Sequence, residues 1–363
     1  MRNNNILGPL LFAAIWCAGA LLLGRADAET ATRNVNPEKC PDNIWDESEQ
    51  QDPALCPEDN PAQNPNTAQT QRVTTTPSLQ KEFLDNVSTL TVVETWKFEY
   101  AVNSGGAFVP DIAEYHGKFY MYAFKPLTGI VSFSSVDGKT WTNDAGARVN
   151  DGHGWQYSHP YAAIAPDGQL YLFMQTMKQG GGSVYYVSRS ESSDGLNFTD
   201  PEAAITPKEI EPGVDVGVAH GRILKLDDGN YLLAVSAGYA PADPRSWAGP
   251  GSRLAYSADL KSWDFSPIYF AGCHDPTFDK TSDGIRLYCH FQAKQTLRFD
   301  SPDGYQWDSK HPAGRVEFLD RNGAAINGED IDIHSFSDGT KRMFISLHPK
   351  GPPWGEIWST VKK

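Results

Sequence analysis

The chain has 363 residues, of which 12% are aromatic and only 21% charged, with 32 glycines and 25 prolines. This composition favours a turn-rich, all-β protein over a helical one. The formal net charge is −14, and the sequence has no run of Lys and Arg. Both facts argue against binding to nucleic acid or to an anionic membrane surface.

Residues 1–28 have the pattern of a secretory signal peptide. Arg2 precedes an apolar run over residues 6–24, and an Ala-x-Ala cleavage pattern follows at residues 26–28. The apolar run is long for a signal peptide, so an uncleaved membrane anchor is the alternative. With cleavage, we expect a secreted or periplasmic protein that has no membrane association.

Residues 29–85 are predicted to be a flexible spacer. They are rich in Pro, Asn, Gln and Thr, and apolar residues are sparse. Such a segment buries too little apolar surface to offset the entropy that ordering costs.

Removal of the signal leaves four cysteines, and an even number in an exported protein suggests two disulfides. Cys40 and Cys56 would close a small loop inside the spacer. Cys273 and Cys289 lie on either side of a turn at residues 283–284 and would face each other across a hairpin. For this second pair, two buried thiols are the alternative.

From residue 90 onward the sequence repeats one order of parts. A tight Gly turn is followed by an apolar strand, a loop, a second strand and a box of the form Ser-x-Asp-Gly-x-x-aromatic. The Gly turns lie at residues 116–117, 167–168, 228–229, 283–284 and 338–339, and the boxes at 135–141, 192–198, 257–263 and 301–307. Repeats of this length, built from short antiparallel strands, are typical of β-propeller blades.

We therefore predict an all-β fold, a single five-bladed β-propeller over residues 90–363. The fifth copy lacks its final strand, and the strand around Trp96 has no sheet of its own. Residues 91–102 are expected to complete the last blade and close the ring, which leaves no free sheet edge. The Ser-x-Asp-Gly boxes suit turns that satisfy their own backbone. The aromatic residue after each box is expected to wedge between neighbouring sheets.

The first strand of each repeat starts on the face that carries the long loops, where binding sites usually form. Counting back the same distance from the turn Asp of each later repeat gives a titratable residue every time: His159, His220, Asp275 and Asp330. In the first repeat the position holds Val109, and Asp111 follows after one proline. Because titratable residues recur at the same position of successive inner strands, we predict that they form a functional hub on the ring axis. For any one of these residues, a capped strand end is the alternative.

Aromatic residues in the loops of the same face suit stacking on the apolar faces of sugar rings. Trp155 and Tyr157 precede the second inner strand, and Trp247 and Trp354 lie in two long loops. The alternative is that these side chains only fill their loops.

Three short motifs carry a family resemblance: P-D-I at 110–112, K-F-Y-M-Y at 118–122 and D-P-T-F at 275–278. Together with the repeated boxes, they resemble the five-bladed propeller glycoside hydrolases of the family 43 and 32 group, over about residues 91–363. The resemblance implies hydrolysis of O-glycosyl bonds by two carboxyl groups, with a third that tunes a pKa.

The resemblance implies catalytic roles for individual residues, although this chain departs from the family pattern at those positions. Asp111 is expected to be the base, although the family's base precedes the proline, where this chain has Val109. Asp275, or His274 beside it, is expected to be the acid in place of the family's Glu-Gly-Pro motif. Asp215 is expected to tune a pKa. The remaining candidates are expected to bind substrate: Trp155, Tyr157, His159, His220, His274, Trp247, Asp330 and Trp354.

The leading hypothesis is an exported glycoside hydrolase, a monomer that acts on a polysaccharide or oligosaccharide and requires no cofactor. A non-catalytic carbohydrate-binding propeller is the first alternative, and Val109 favours it. A metal-dependent enzyme that uses the hub His and Asp side chains is the second. The resemblance also implies a structural calcium ion near the hub.

Overall fold

This structure, a computed structural model, describes residues 85–87, 89–152, 154–178, 185–210, 217–237, 251–291, 295–336, 338–347 and 355–362. All of them belong to the second of two units in the chain, which spans Val73–Lys363. The predicted signal peptide, nearly all of the spacer and five predicted positions lie outside the described residues: Cys40, Cys56, Asp215, Trp247 and Trp354. Across the described ranges, no helix has the length and apolar character needed to span a bilayer.

Alternating apolar residues and frequent aromatics give β-strands along almost all of the described chain. One short helix, α1, covers Pro207–Ile210. The strands are β1 (Val92–Val102), β2 (Phe108–Tyr115), β3 (Lys118–Lys125), β4 (Gly129–Ser135), β5 (Thr142–Asn143), β6 (Val149–Asn150), β7 (Trp155–Ile164), β8 (Leu170–Lys178), β9 (Tyr186–Ser192), β10 (Glu202–Ile205), β11 (Val218–Lys225), β12 (Tyr231–Ala237), β13 (Gly251–Ser257), β14 (Asp264–Phe270), β15 (Cys273–Thr281), β16 (Gly284–Phe291), β17 (Gln295–Ser301), β18 (Gly314–Leu319), β19 (Ala325–Ile326), β20 (Glu329–Ser335), β21 (Lys341–Leu347) and β22 (Glu356–Lys362).

Consecutive strands pair as antiparallel meanders. The first sheet has the order β2-β3-β4-β5, with β6 also paired to β4; the second is β7 to β10, and the third is β11 to β14. The remaining strands form one sheet of order β15-β16-β17-β18-β1-β22-β21-β20, with β19 paired to β18. The prediction of an all-β fold is confirmed, while the count of five blades stays a prediction.

The N-terminal strand β1 joins two meanders. It pairs antiparallel with β22, where Lys97 lies opposite Val361, so residues 91–102 complete the last meander as predicted. It also pairs in parallel with β18, where Trp96 lies opposite Phe318. The sequence did not predict this second pairing. Because β1 covers both β18 and β22, neither strand is left as a free edge.

The Ser-x-Asp-Gly boxes satisfy their own backbone as predicted. In the first box, Ser135 Oγ accepts the N–H of Gly138 at 2.9 Å, and Asp137 Oδ1 accepts two further backbone N–H bonds at 2.7 and 2.8 Å. Gly138 has a left-handed φ of 67°, and a Cβ atom there would clash with Phe336. In the third box Leu260 takes this position and keeps a φ of 63°.

The aromatic residue after each box packs on the preceding sheet, which confirms that prediction. The ring pairs have centroid separations of 5.7 to 6.3 Å: Trp141–Phe344, Phe198–Tyr122, Trp263–Phe173 and Trp307–Phe270. Since Phe344 lies in β21, the first of these pairs links the first sheet to the last meander. Each sheet is therefore held to its predecessor by the residue that ends its own repeat.

The predicted disulfide between Cys273 and Cys289 is confirmed. It links the neighbouring strands β15 and β16, with Cα atoms 5.3 Å apart, and both residues are fully buried. Each cysteine precedes a histidine, His274 or His290. The crosslink therefore holds two imidazoles at fixed places on adjacent strands.

Replacing both cysteines by serine is expected to lower the free energy of unfolding by about 3 kcal/mol, the value for a loop of this length. The two residues are 16 apart in sequence, so the crosslink removes appreciable entropy from the unfolded chain. Urea unfolding of the variant and of the wild type, each with and without reductant, measures the loss. A loss in the variant with no effect of reductant on the wild type would contradict a contribution from the crosslink.

Candidate active site

Each of the five inner strands has one irregularity in its pairing. The register shifts fall between 108 and 111, 158 and 161, 218 and 221, 274 and 277, and 329 and 332. At four of these bulges Val109, His159, Asp275 and Asp330 have φ between 47° and 56°. Left-handed backbone is most unfavourable for a β-branched residue such as Val109. The same strained conformation is thus kept at one register around the molecule.

The bulges bring the predicted hub residues together at one pocket. It is lined by Val109, His159, His220, Gly221, Arg222, Asp275, Pro276, Asp330 and Ile331. Its volume of about 10 Å³ holds a single water molecule. A sugar ring does not fit inside this volume, so the scissile bond of a substrate would have to lie over the mouth of the pocket.

His220 lies between two carboxylates. Its Nδ1 atom contacts Asp275 Oδ1 and lies 3.3 Å from Asp330 Oδ1. Burial lowers the pKa of His220, but the two carboxylates outweigh burial and raise the pKa to about 9. His220 is therefore an imidazolium at neutral pH. Burial raises the pKa of Asp275, yet His220 and His274 hold it well below its usual range.

Two more imidazoles flank this pair. The ring of His159 lies 3.3 Å from that of His220, and its Nδ1 is 2.9 Å from Ser158 Oγ. Burial and the neighbouring His220 lower the pKa of His159 to about 3, so it is neutral. His274 Nδ1 lies 2.6 Å from Asp275 Oδ2. Burial lowers the pKa of His274, but Asp275 more than offsets this and the pKa is raised.

Asp111, the predicted base, is engaged elsewhere. It is 4% exposed, and its Oδ2 accepts the N–H of Ala162 at 2.8 Å, while Arg222 Nε lies 3.3 Å from its Oδ1. Burial raises its pKa to about 7, with Arg222 acting in the opposite direction. It is not among the residues that line the hub pocket. A catalytic role for Asp111 stays a prediction, and these contacts favour a part in holding strands together.

Arg222 is the centre of that arrangement, and the sequence reading did not assign it to the site. Its Nε lies 3.6 Å from Asp332 Oδ1, and the Oδ2 of Asp332 accepts the N–H of Ile112 at 2.9 Å. The guanidinium also donates to four backbone carbonyls, those of Pro110, Pro160, Gly221 and Ile331. Arg222 follows His220 by two residues, just as Asp111 follows Val109 by two. This shared spacing is the sequence feature that could have identified Arg222.

Of the predicted loop aromatics, the structure describes Trp155 and Tyr157, and both lie in the strand β7 and not in a loop. Trp155 packs edge-on against Tyr186 at 5.7 Å, and Tyr157 packs on the buried cluster that contains Val109. Neither ring lines the hub pocket. Their role in substrate binding stays a prediction, as do the roles of Asp215, Trp247 and Trp354, which lie outside the described residues.

Two groups of hub side chains could hold a metal ion. One is His159, His220 and Asp330, and the other is His274, Asp275 and His290; the ligand atoms in each group lie within 4.8 Å of one another. Calcium takes six to eight oxygen ligands, and each group supplies one carboxylate. These residues therefore do not fit the calcium ion that the resemblance implied. Their imidazole-rich character is closer to a transition-metal site, but the Nδ1 atom of His220 already pairs with two carboxylates.

No family model and no curated protein match this chain in sequence. Solved structures do match it. A family 117 glycoside hydrolase from the marine bacterium Zobellia galactanivorans is 17% identical with a TM-score of 0.55, and the match covers 75% of this chain and 90% of that one. A thermostable family-43 glycoside hydrolase is 13% identical with a TM-score of 0.53, over 71% of this chain and 89% of that one.

A third solved structure, an α-L-arabinofuranosidase from Lactobacillus brevis, is 12% identical with a TM-score of 0.53, and the match covers 70% of this chain and 90% of that one. These similarities concern the backbone, because identities this low show fold and not activity. The predicted resemblance is thereby confirmed at the level of architecture: this chain has the β-propeller fold of these glycoside hydrolases.

Proposed function

We propose that this protein is an exported glycoside hydrolase whose active site is the hub formed by His220, Asp275 and Asp330. The observation that carries the proposal is an imidazole held between two carboxylates, on a fold that known glycoside hydrolases share. Glycoside hydrolysis needs a group that protonates the leaving oxygen and a carboxylate on the other side of the bond. The hub supplies one imidazole and two carboxylates that could take these roles.

In this proposal His220 is the proton donor. Its pKa of about 9 keeps the imidazolium charged at neutral pH, and proton transfer to the leaving oxygen accompanies cleavage of the glycosidic bond. His274, which contacts the other oxygen of Asp275, is the alternative donor. Asp275 acts through both imidazoles by keeping them protonated.

Asp330 is the proposed base. It has the longer of the two contacts to His220 and lies in the pocket lining, and Asp275 is the poorer base because its pKa is held so low. Water would attack the anomeric carbon and give its proton to Asp330. The leaving oxygen would receive the proton on Nε2 of His220, because Nδ1 faces Asp275 and Asp330. The pocket has room for one such water molecule.

Activity is expected to fall as the pH rises through about 9, because kcat depends on the protonated form of His220 and that form is present below its pKa. The profile of kcat against pH on a hydrolysed glycan measures this. His220→Gln should lose the basic limb together with most of the activity. A basic limb below neutral pH in the wild type would contradict the assignment of His220 as donor.

The substrate is to be found by screening the purified chain on arabinan, xylan, galactan and fructan for released sugar.

Asp111→Asn serves as a second test of the base, with thermal melting measured beside activity. Loss of activity in a stably folded Asp111→Asn protein would restore Asp111 as the base. Full activity in that protein would leave Asp330 as the base.

One observation favours the alternative, a non-catalytic carbohydrate-binding propeller. Val109, which cannot take part in proton transfer, lines the hub pocket at the position where the resembling enzymes carry their base. Binding of a glycan without release of sugar would support this alternative.

Export and the monomeric state are further parts of the proposal. The disulfide between Cys273 and Cys289 supports export, because such bonds persist in oxidising compartments.

A further inference from the structure

A second pocket lies between β17, β18 and β19. Its volume is about 100 Å³, against about 10 Å³ at the hub. Five polar side chains line it: Thr296, which is buried, and four that are partly or fully exposed, Gln295, Arg315, Glu317 and Asn327. That volume holds several water-sized groups, so hydroxyl groups of a bound sugar can enter it.

These four side chains are not committed to partners. Within the described ranges, none of them makes a side-chain hydrogen bond or an ion pair. Glu94, on the adjoining strand β1, shows the opposite pattern and contacts three cations, Arg286, Arg298 and Lys362. Uncommitted donors and acceptors around one cavity are what a polar ligand requires.

The pocket is close to the hub along the chain. Asn327 precedes Asp330 by three residues, so their Cα atoms are at most about 11 Å apart, given the spacing of consecutive Cα atoms. A substrate chain that extends away from the hub would span this distance.

We infer that this pocket is a subsite for a neutral sugar unit of the substrate chain, away from the cleaved bond; the inference rests on the proposed function. Sugar hydroxyls both donate and accept hydrogen bonds. The guanidinium of the pocket donates, its carboxylate accepts, and its two amides do both. Phe318 and Ile326 supply apolar lining for the C–H face of the ring. The charges of Arg315 and Glu317 balance, so a uronic or sulfated unit gains no net attraction here and a neutral unit is favoured.

Paired variants of the full chain test this inference. Gln295→Ala/Asn327→Ala removes both amides from the pocket. Asn143→Ala is the matched control, because it removes an exposed amide from β5, the outer strand of the first sheet. The probes are arabino-, xylo- and galacto-oligosaccharides of increasing length, and the readouts are kinetics and calorimetric binding, with melting temperatures recorded for every variant.

For the wild type we expect KM to fall as the oligosaccharide grows. For the double variant we expect this dependence of KM on chain length to be lost. Its KM on the longest probes should be about tenfold higher, because one or two hydrogen bonds are lost. The Asn143→Ala protein should retain the gain. A double variant that keeps the dependence on chain length, or that weakens all lengths equally, would overturn the subsite.

Binding separates this inference from the proposed function. If no probe is hydrolysed but binding is lost in Gln295→Ala/Asn327→Ala and kept in Asn143→Ala, the pocket binds sugar and the hydrolase proposal fails. Failure of the wild-type chain to bind any of the neutral probes would overturn the inference. Tighter binding of a uronic or sulfated oligosaccharide than of the neutral ones would overturn the neutral-sugar assignment.

Discussion

Asp275→Asn is expected to lower kcat about 10³-fold, within the usual range for loss of general acid–base catalysis, while the protein stays folded. The Asp275 carboxylate contacts both His220 and His274. Without its charge, burial is the larger influence on both imidazoles and their pKa values fall, so less of either is protonated at neutral pH. The variant therefore loses the protonated form of the proposed donor, although His220 itself is unchanged.

Asn is the least disruptive substitution at this position. Asp275 has a left-handed φ of 51°, a conformation that Asn also tolerates. Its backbone N–H, which donates to Ser236 Oγ at 3.0 Å, is kept. A large loss of kcat with a small change in KM and an unchanged melting temperature would therefore report on the charge and not on the fold.

The matched control is Asp308→Asn. Asp308 Oδ2 makes the same kind of contact, at 2.8 Å, with His311, but both side chains are more than half exposed. This variant should retain full activity. In Asp275→Asn the basic limb of the kcat profile should also move from about pH 9 towards the ordinary histidine value. Equal losses in the two variants, or an unmoved basic limb, would contradict the role given to Asp275.

Local chemistry made the sheets and the hub predictable from the sequence. A Ser-x-Asp-Gly box satisfies its own backbone through its own side chains, so each copy marks a turn wherever it occurs. The hub was found by counting back from these turns, because the bulge falls at the same register in each inner strand. His159 and Asp275 could therefore be aligned without any knowledge of the tertiary structure.

The direction of a side chain beyond a bulge could not be predicted in the same way. A bulge adds one residue to a strand, and a shift of one residue sends every later side chain to the other face. Asp111 follows such a bulge, and its carboxylate meets Arg222 and the backbone of Ala162 instead of the pocket. Proximity to Val109 in sequence therefore gave no information on which way Asp111 faces.

Pairing between distant strands was likewise not visible in the pattern of β1. Alternation predicts a strand with one buried face but does not say how many neighbours the strand has. A charged residue in such a strand is ordinarily expected to face solvent. Glu94 is instead almost fully buried, and its partners lie on strands that are hundreds of residues away in sequence.

Glu94→Gln is expected to lower the free energy of unfolding by about 3 kcal/mol, the lower part of the range for breaking a buried ion pair. The carboxylate is 1% exposed and lies 2.8 to 3.1 Å from Arg286, Arg298 and Lys362. Tyr288 and Trp96 also donate hydrogen bonds to it. These groups come from β1, β16, β17 and β22, so the cluster fastens the N-terminal strand to both meanders. The three cations keep partial exposure, 14% to 49%, which limits the loss.

Asp300→Asn is the matched control for this cluster. Asp300 contacts Arg298 at 2.9 Å but is 47% exposed, and exposed pairs contribute less than about 1 kcal/mol. The pH dependence gives a second, independent readout. Burial raises the pKa of Glu94, but Lys362, Trp96 and Arg286 lower it below the ordinary 4.5.

A carboxylate with a lowered pKa stabilises the fold above its unfolded pKa, and that contribution is lost as the pH falls through the folded value. Urea unfolding of wild type and Glu94→Gln should therefore differ most at neutral pH, and the difference should shrink below about pH 4.5. A difference that stays constant into acid would show that Glu94 acts through packing and not through its charge. Asp300→Asn could lower the free energy of unfolding as much as Glu94→Gln does. That result would show that burial does not distinguish the two carboxylates, and the closure of the sheet would then depend on strand pairing alone.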